Sequence, residues 1–160
     1  MLDLVLNLEA DFPDLNFVHG KQFCWSPETN EVIYVAKAKD NKAIWSLLHE
    51  TSHALLGHKT YHADVTLLRL EVEAWGKAKS LAKEYDITIS EDYIEDCLDT
   101  YRDWLYKRSI CPNCSAKCLQ QSDFVHYKCF NCHTTWRVST SRFCRAYRST
   151  KNVPQITAFI

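Results

Sequence analysis

The sequence predicts an α+β chain built as two modules, and three observations carry that prediction. Apolar residues recur at helical spacing over about 42–56, 64–85 and 90–105, while short β-rich runs stand at 23–25 and 32–35. Eight cysteines occur in 160 residues, and four of them form two CxxC pairs, Cys111/Cys114 and Cys129/Cys132, with 14 residues between the pairs. Charge divides at nearly the same place. Residues 1–106 hold 10 Lys and Arg against 19 Asp and Glu, a balance of −9; residues 107–160 hold 9 against Asp123 alone, a balance of +8. An acidic body joined to a basic tail reads as two modules, and the tail suits a polyanionic partner.

A hydrophobic content of 46% suffices for a real core, and no run approaches the roughly 18 apolar residues of a membrane helix. The first residues, Met1-Leu2-Asp3-Leu4, lack the basic stretch and cleavage site of a signal peptide. The expected location is the cytoplasm, where clustered cysteines bind metal rather than form disulfides.

The elements follow in order. Leu2, Val5 and Leu6 mark a short N-terminal helix that ends before Pro13. Phe23-Cys24-Trp25 and Val32-Ile33-Tyr34-Val35 read as strands, joined into a hairpin by the turn residues Ser26-Pro27-Glu28-Thr29-Asn30. From about Lys42 to Leu56, Ile44, Leu47, Leu48, Ala54 and Leu55 define a buried helix face, and Gly57 is a natural stop. Asp64 opens a longer helix reaching about Tyr85. Ser90 caps another, whose stripe of Ile94, Cys97, Leu98, Tyr101, Trp104 and Leu105 is core packing.

Chemistry concentrates in His49-Glu50-Thr51-Ser52-His53. Residues four apart project from one helix face, so His49 and His53 can share one metal ion, while Glu50 can reach a metal-bound water as general base. This is the HExxH pattern of zinc peptidases. A third ligand is still needed. Glu71 and Glu73 on the next helix lie about 200° apart around its axis, so only one can face the site. Leu67, Leu68, Ala74, Trp75, Ala78, Ala82 and Tyr85 share a face with Glu71, whereas Glu73 falls among Thr66, Arg69, Lys77 and Ser80. A carboxylate on an apolar face is costly unless a cation accompanies it, so Glu71 is the expected ligand and Glu73 a solvated charge. His58 lies past the helix end and is expected to be a polar lip residue.

The four cysteines of the two CxxC pairs suit a tetrahedral structural zinc, as in zinc ribbons. Beyond them Arg137, Arg142, Arg145 and Arg148 alternate with Trp136, Phe143 and Tyr147, a composition fitted to phosphates and stacked bases of single-stranded DNA. The competing expectation is that this basic face docks on the acidic body. Of the remaining cysteines, Cys118 and Cys144 belong to the basic module, and either thiolate is a candidate inhibitory ligand for an open zinc.

With these motifs in place the chain resembles the ImmA/IrrE family of metallopeptidases, which are gluzincins. The matching residues are His49-Glu50-Thr51-Ser52-His53-Ala54-Leu55-Leu56-Gly57-His58, then Glu71-Val72-Glu73-Ala74, with the Phe23-Cys24-Trp25-Ser26-Pro27 hairpin upstream. The resemblance covers roughly residues 20–85. It implies a small zincin-like fold of a few helices on a small sheet, and limited proteolysis of a protein partner, typically a helix-turn-helix repressor. Trp75 and Lys77 stand where the family has Asn or Asp and Phe, and the cysteine module is an addition. That combination is similar to repressor-cleaving peptidases of phage and anti-phage defence operons.

The expected organisation is therefore an HExxH metallopeptidase domain over 1–108, a four-cysteine ribbon with its basic and aromatic extension over 109–150, and a tail over 151–160. Two Zn²⁺ ions are expected, one catalytic and one structural, with a protein substrate pairing along an edge strand at Val32–Val35. Two alternatives stand beside this reading. A SprT-like protease acting on DNA-bound proteins would take a His as third ligand, and no His lies between His62 and His126. A non-enzymatic zinc-ribbon DNA-binding regulator would hold one zinc rather than two.

Overall fold

The computed structural model describes residues 1–38 and 40–139, and the backbone of 148–149. It is α+β, with four helices and two small sheets among the described residues. Contacts divide the chain into two compact units, Met1–Thr60 with Arg69–Glu95, and Tyr61–Leu68 with Asp96–Ile160.

The first unit opens with α1 (Leu2–Asp11), which ends where Phe12 precedes Pro13. Its inward face is Leu4, Val5 and Leu8; Leu2 and Leu6 are exposed. Apolar residues stand at five of the seven positions 2–8, and 100° per residue lets just one face of them turn inward. A strand the sequence did not signal follows, β1 (Asn16–His19). Then β2 (Cys24–Ser26) and β3 (Glu31–Tyr34) form the expected antiparallel hairpin, with Asn30 taking the left-handed turn conformation at φ 56°. β1 pairs in parallel with β3, Phe17 opposite Val32, so the order is β1-β3-β2. This corrects the expected edge. β3 is central, its Val32 wholly buried, and β1 and β2 are the edges.

Helix α2 (Asn41–Leu55) packs on β2 and β3. Asp40 caps it by accepting the Ala43 N–H at 2.8 Å. Leu47, Leu48 and Ala54 are buried, as are Thr51 and Ser52, whose hydroxyls donate to the carbonyls of Leu47 and Leu48 at 2.8 and 2.7 Å. The helix stops in a Schellman turn: Gly57 adopts φ 65°, its N–H reaches the Ala54 carbonyl at 2.9 Å, and the His58 N–H reaches that of His53 at 3.0 Å. Helix α3 (Asp64–Glu84) contributes buried Glu71, Ala74, Trp75, Ala78, Leu81 and Ala82 to this unit.

Helix α4 (Glu91–Ser109) begins in the first unit, with Ser90 Oγ accepting the Tyr93 N–H at 3.4 Å, and continues into the second. The second unit holds β4 (Leu119–Gln120), β5 (His126–Lys128), β6 (Thr135–Val138) and β7 (Arg148–Ser149), antiparallel in that order. Cys111, Cys118, Tyr127, Cys129, Trp136 and Val138 form its core. Residues 61–68 and 96–108 belong here too, and a buried network explains why. Asp64 accepts from Arg108 Nε at 2.6 Å, from Arg108 Nη2 at 3.1 Å and from the Tyr127 hydroxyl at 2.7 Å, while the Arg108 carbonyl accepts the Trp136 indole N–H at 3.0 Å. A guanidinium 2% exposed needs that carboxylate beside it. No helix among the described residues is long and apolar enough to cross a membrane.

Candidate metal centres

Two groups of metal-ligating side chains converge, one in each unit: His49, His53 and Glu71, and Cys111, Cys114, Cys129 and Cys132, the donor atoms of each group lying within 4.8 Å of one another. The first comes from facing helices. His49 Nε2 is 3.2 Å from Glu71 Oε2 and 3.1 Å from His53 Nε2, and His53 Nε2 is 3.7 Å from Glu71 Oε1. Ligands at zinc's usual 2.0–2.1 Å in a tetrahedron stand about 3.3 Å apart, so these separations fit one face of such a site. Burial works to raise the Glu71 carboxyl, but hydrogen bonds from His49 and His53 prevail and hold it down at about 2, so it is an anion ready to ligate. Nδ1 of His49 is buried with no hydrogen-bond partner among the described residues; its ring is stacked on Trp75 at 4.1 Å. Trp75 thus covers one face of the His49 ring.

Glu50, one residue past His49, reaches the edge strand β2. Its Oε2 accepts the Trp25 backbone N–H at 2.8 Å, from β2. The Cys24 thiol is pushed up by burial and by the charge of Glu50, so it stays protonated beside that carboxylate. Two residues expected at the margin are structural parts of this site. His58 is 8% exposed, with Nδ1 2.9 Å from His53 Nδ1, and Glu73, half exposed, reaches His58 Nε2 at 3.4 Å. The signal that could have found His58 was Gly57, which ends α2 and folds His58 back beside His53.

The cysteine group lies on two knuckles. Cys111 Sγ is 3.5 Å from Cys132 Sγ, and Cys114 Sγ is 3.5 Å from Cys129 Sγ, close to the edge of about 3.8 Å for a tetrahedron of 2.3 Å zinc–sulfur bonds. Backbone N–H groups converge on the sulfurs: Asn113 on Cys111, and Asn131 and Cys132 on Cys129, each at 3.4 Å. The Thr134 hydroxyl and N–H bring Cys132 down to about 5, whereas burial pushes Cys111 up to about 11. Four sulfurs this close together, with backbone N–H groups turned on them, suit a bound cation better than free thiols.

The expected nucleic-acid and switch residues divide three ways. Trp136 is wholly buried, stacked on Tyr127 at 5.6 Å, so it is a core residue and not a platform for a base. Arg137, next to it in β6, is exposed, opposite His126 in register. Arg142, Arg145, Tyr147, Cys144 and the Arg148 side chain lie outside the described residues. Cys118 is buried, and burial first, then its neighbour Cys129, pushes its thiol up to about 12, which opposes the thiolate a zinc-quenching switch needs. No family model, curated protein or solved structure matches the chain.

Proposed function

We propose that the chain is a zinc endopeptidase of the ImmA/IrrE type, cutting a protein partner, a helix-turn-helix repressor, and carrying a zinc ribbon as an added module. The observation that carries this reading is the convergence of His49, His53 and Glu71 with Glu50 one residue beyond the first ligand. A histidine, histidine and carboxylate set leaves an open position, where bound zinc would polarise a carbonyl and lower the pKa of water to about 7. His49 and His53 supply lone pairs at Nε2, and Glu71 supplies the anionic oxygen. Glu50 takes a proton from water at its carboxylate and returns it to the leaving amine. β2 is an edge strand beside Glu50, so a substrate strand laid along it would gain main-chain hydrogen bonds and take over the Trp25 N–H that Glu50 accepts, freeing that carboxylate.

The direct test incubates the full-length protein with products of neighbouring genes, with and without single-stranded DNA, beside the Glu50→Gln variant. Site-specific cleavage by wild type and none by Glu50→Gln supports the reading; equal cleavage by both refutes it. Glu71 supports this assignment over a SprT-like one, which would take a His. DNA as a partner rests on the exposed Arg137 and the basic residues beyond it; if DNA alone is bound and nothing is cut, the regulator reading replaces the enzyme.

A further inference from the structure

His53 is approached from behind by a second, buried histidine, and with both imidazoles neutral and a cation at Nε2 of His53 the proton bookkeeping of that contact has one consistent solution. Nδ1 of His58 stands 2.9 Å from Nδ1 of His53, and Nε2 of His58 stands 3.4 Å from Oε2 of Glu73. Two imidazole nitrogens at that distance share one proton, one donating and the other accepting. Suppose His58 donates. Its Nε2 then presents a lone pair to the Glu73 carboxylate, two acceptors face each other, and His53 carries its proton on Nε2, towards Glu71. Suppose instead that His53 donates from Nδ1. His58 accepts at Nδ1, carries its proton on Nε2 and donates it to Glu73, so both contacts of the His53–His58–Glu73 chain have one donor and one acceptor, and the Nε2 lone pair of His53 beside Glu71 is the one a cation would take. This second arrangement leaves the Nε2 lone pair of His53 free, 3.1 Å from that of His49.

The pair is held for this task. The Schellman turn fixes the His58 backbone, the Trp25 indole N–H donates to its carbonyl at 2.7 Å, and Arg69, 3.7 Å from the Glu73 carboxylate, adds a cation on the far side. Among the described residues His49 has no such partner at Nδ1, and its ring rests on Trp75 instead. We propose that His58 and Glu73 are a positioning pair for His53, selecting the tautomer and ring orientation that present Nε2 to a metal ion shared with His49 and Glu71. This rests on the reading of those three residues as a metal centre.

The test uses the full chain and cobalt(II) as the probe, because cobalt on thiolates shows an intense sulfur charge-transfer band that cobalt on nitrogen and oxygen lacks. Outer partners of ligating histidines are worth about 10–100-fold in metal affinity. His58→Leu and Glu73→Ala are expected to weaken binding at the His/Glu centre by about that factor, with the thiolate band unchanged. Glu73→Gln, which keeps an acceptor for the His58 N–H, is expected to recover most of the loss. Because Glu73 is half exposed, Glu73→Ala should unfold at the wild-type temperature, which separates positioning from a general loss of fold. If His58→Leu and Glu73→Ala bind like wild type while Glu71→Ala loses the His/Glu centre, the metal centre stands and the positioning pair is refuted. If wild type takes up cobalt at the thiolates alone, both fall.

Discussion

Replacing Asp64 by Asn tests how the cysteine unit is held together. The substitution keeps size and shape but leaves Arg108, 2% exposed, without its counter-charge: the Nε and Nη2 contacts at 2.6 and 3.1 Å lose the carboxylate. The Tyr127 hydroxyl, 2.7 Å from the same oxygen, loses its strong acceptor. Breaking a buried pair by removing one partner costs about 3–5 kcal/mol. A segment whose folding is coupled to its metal gives up that free energy from metal binding. At about 1.4 kcal/mol per tenfold, apparent zinc affinity at the four cysteines should fall by between about two and three and a half powers of ten. Chelator competition on the full chain measures it, with urea unfolding of the zinc-loaded protein as a second readout. The double variant Asp64→Leu with Arg108→Met, which removes both charges, should recover much of the loss. An Asp64→Asn protein that holds zinc within about threefold of wild type would show that the helices do not support the cysteine cage.

Other outcomes follow from the site. Glu71→Ala should reduce zinc at saturation from two ions per chain to about one, while Glu73→Ala, though weaker, keeps two; metal analysis after dialysis against zinc decides. Glu50→Gln should retain both ions and lose proteolysis by about two to four orders of magnitude, read against a cleaved partner. In metal-free protein the Glu71 carboxyl, held at about 2 against an ordinary 4.5, contributes stability that is complete above the ordinary value and is lost as pH falls towards 2. The advantage of wild type over Glu71→Gln in urea should therefore be level above about pH 5 and shrink below about pH 4. Gly57→Ala should cost about 1 kcal/mol from its positive φ alone, since an added Cβ there meets nothing within 4 Å, and Gly57→Asn should cost less by thermal unfolding.

How much was legible depended on the range of each interaction. His49 and His53 meet across one helical turn and the cysteines across tight knuckles, so short spacings revealed them. Glu71 was legible because burial on α3 is periodic. β1 was not: Asn16-Phe17-Val18-His19 has no alternation, and its partner β3 lies 15 residues on, so nothing local marked the parallel pair or showed that β3 is central. His58 had a local signal in Gly57, but its contact with Glu73 joins separate elements, and such contacts leave no trace in either pattern. Trp136 was misread although the information was present. Thr135-Trp136-Arg137-Val138 alternates, which puts Trp136 with Val138 on the inner face and Arg137 outside.

The turn that ends α2 also constrains which changes the chain can tolerate. His53 and His58 are five residues apart, and their rings meet because the helix stops at Leu56 and the chain reverses through Gly57. One residue inserted before the glycine would carry His58 onward by about 100° and 1.5 Å if the helix grew to include it, turning its ring away from His53 while leaving every side chain chemically intact. Point substitutions at Leu56, 42% exposed, should pass almost unnoticed, whereas a single insertion or deletion between His53 and His58 should be as damaging as loss of His58 itself. Here length is under tighter constraint than composition.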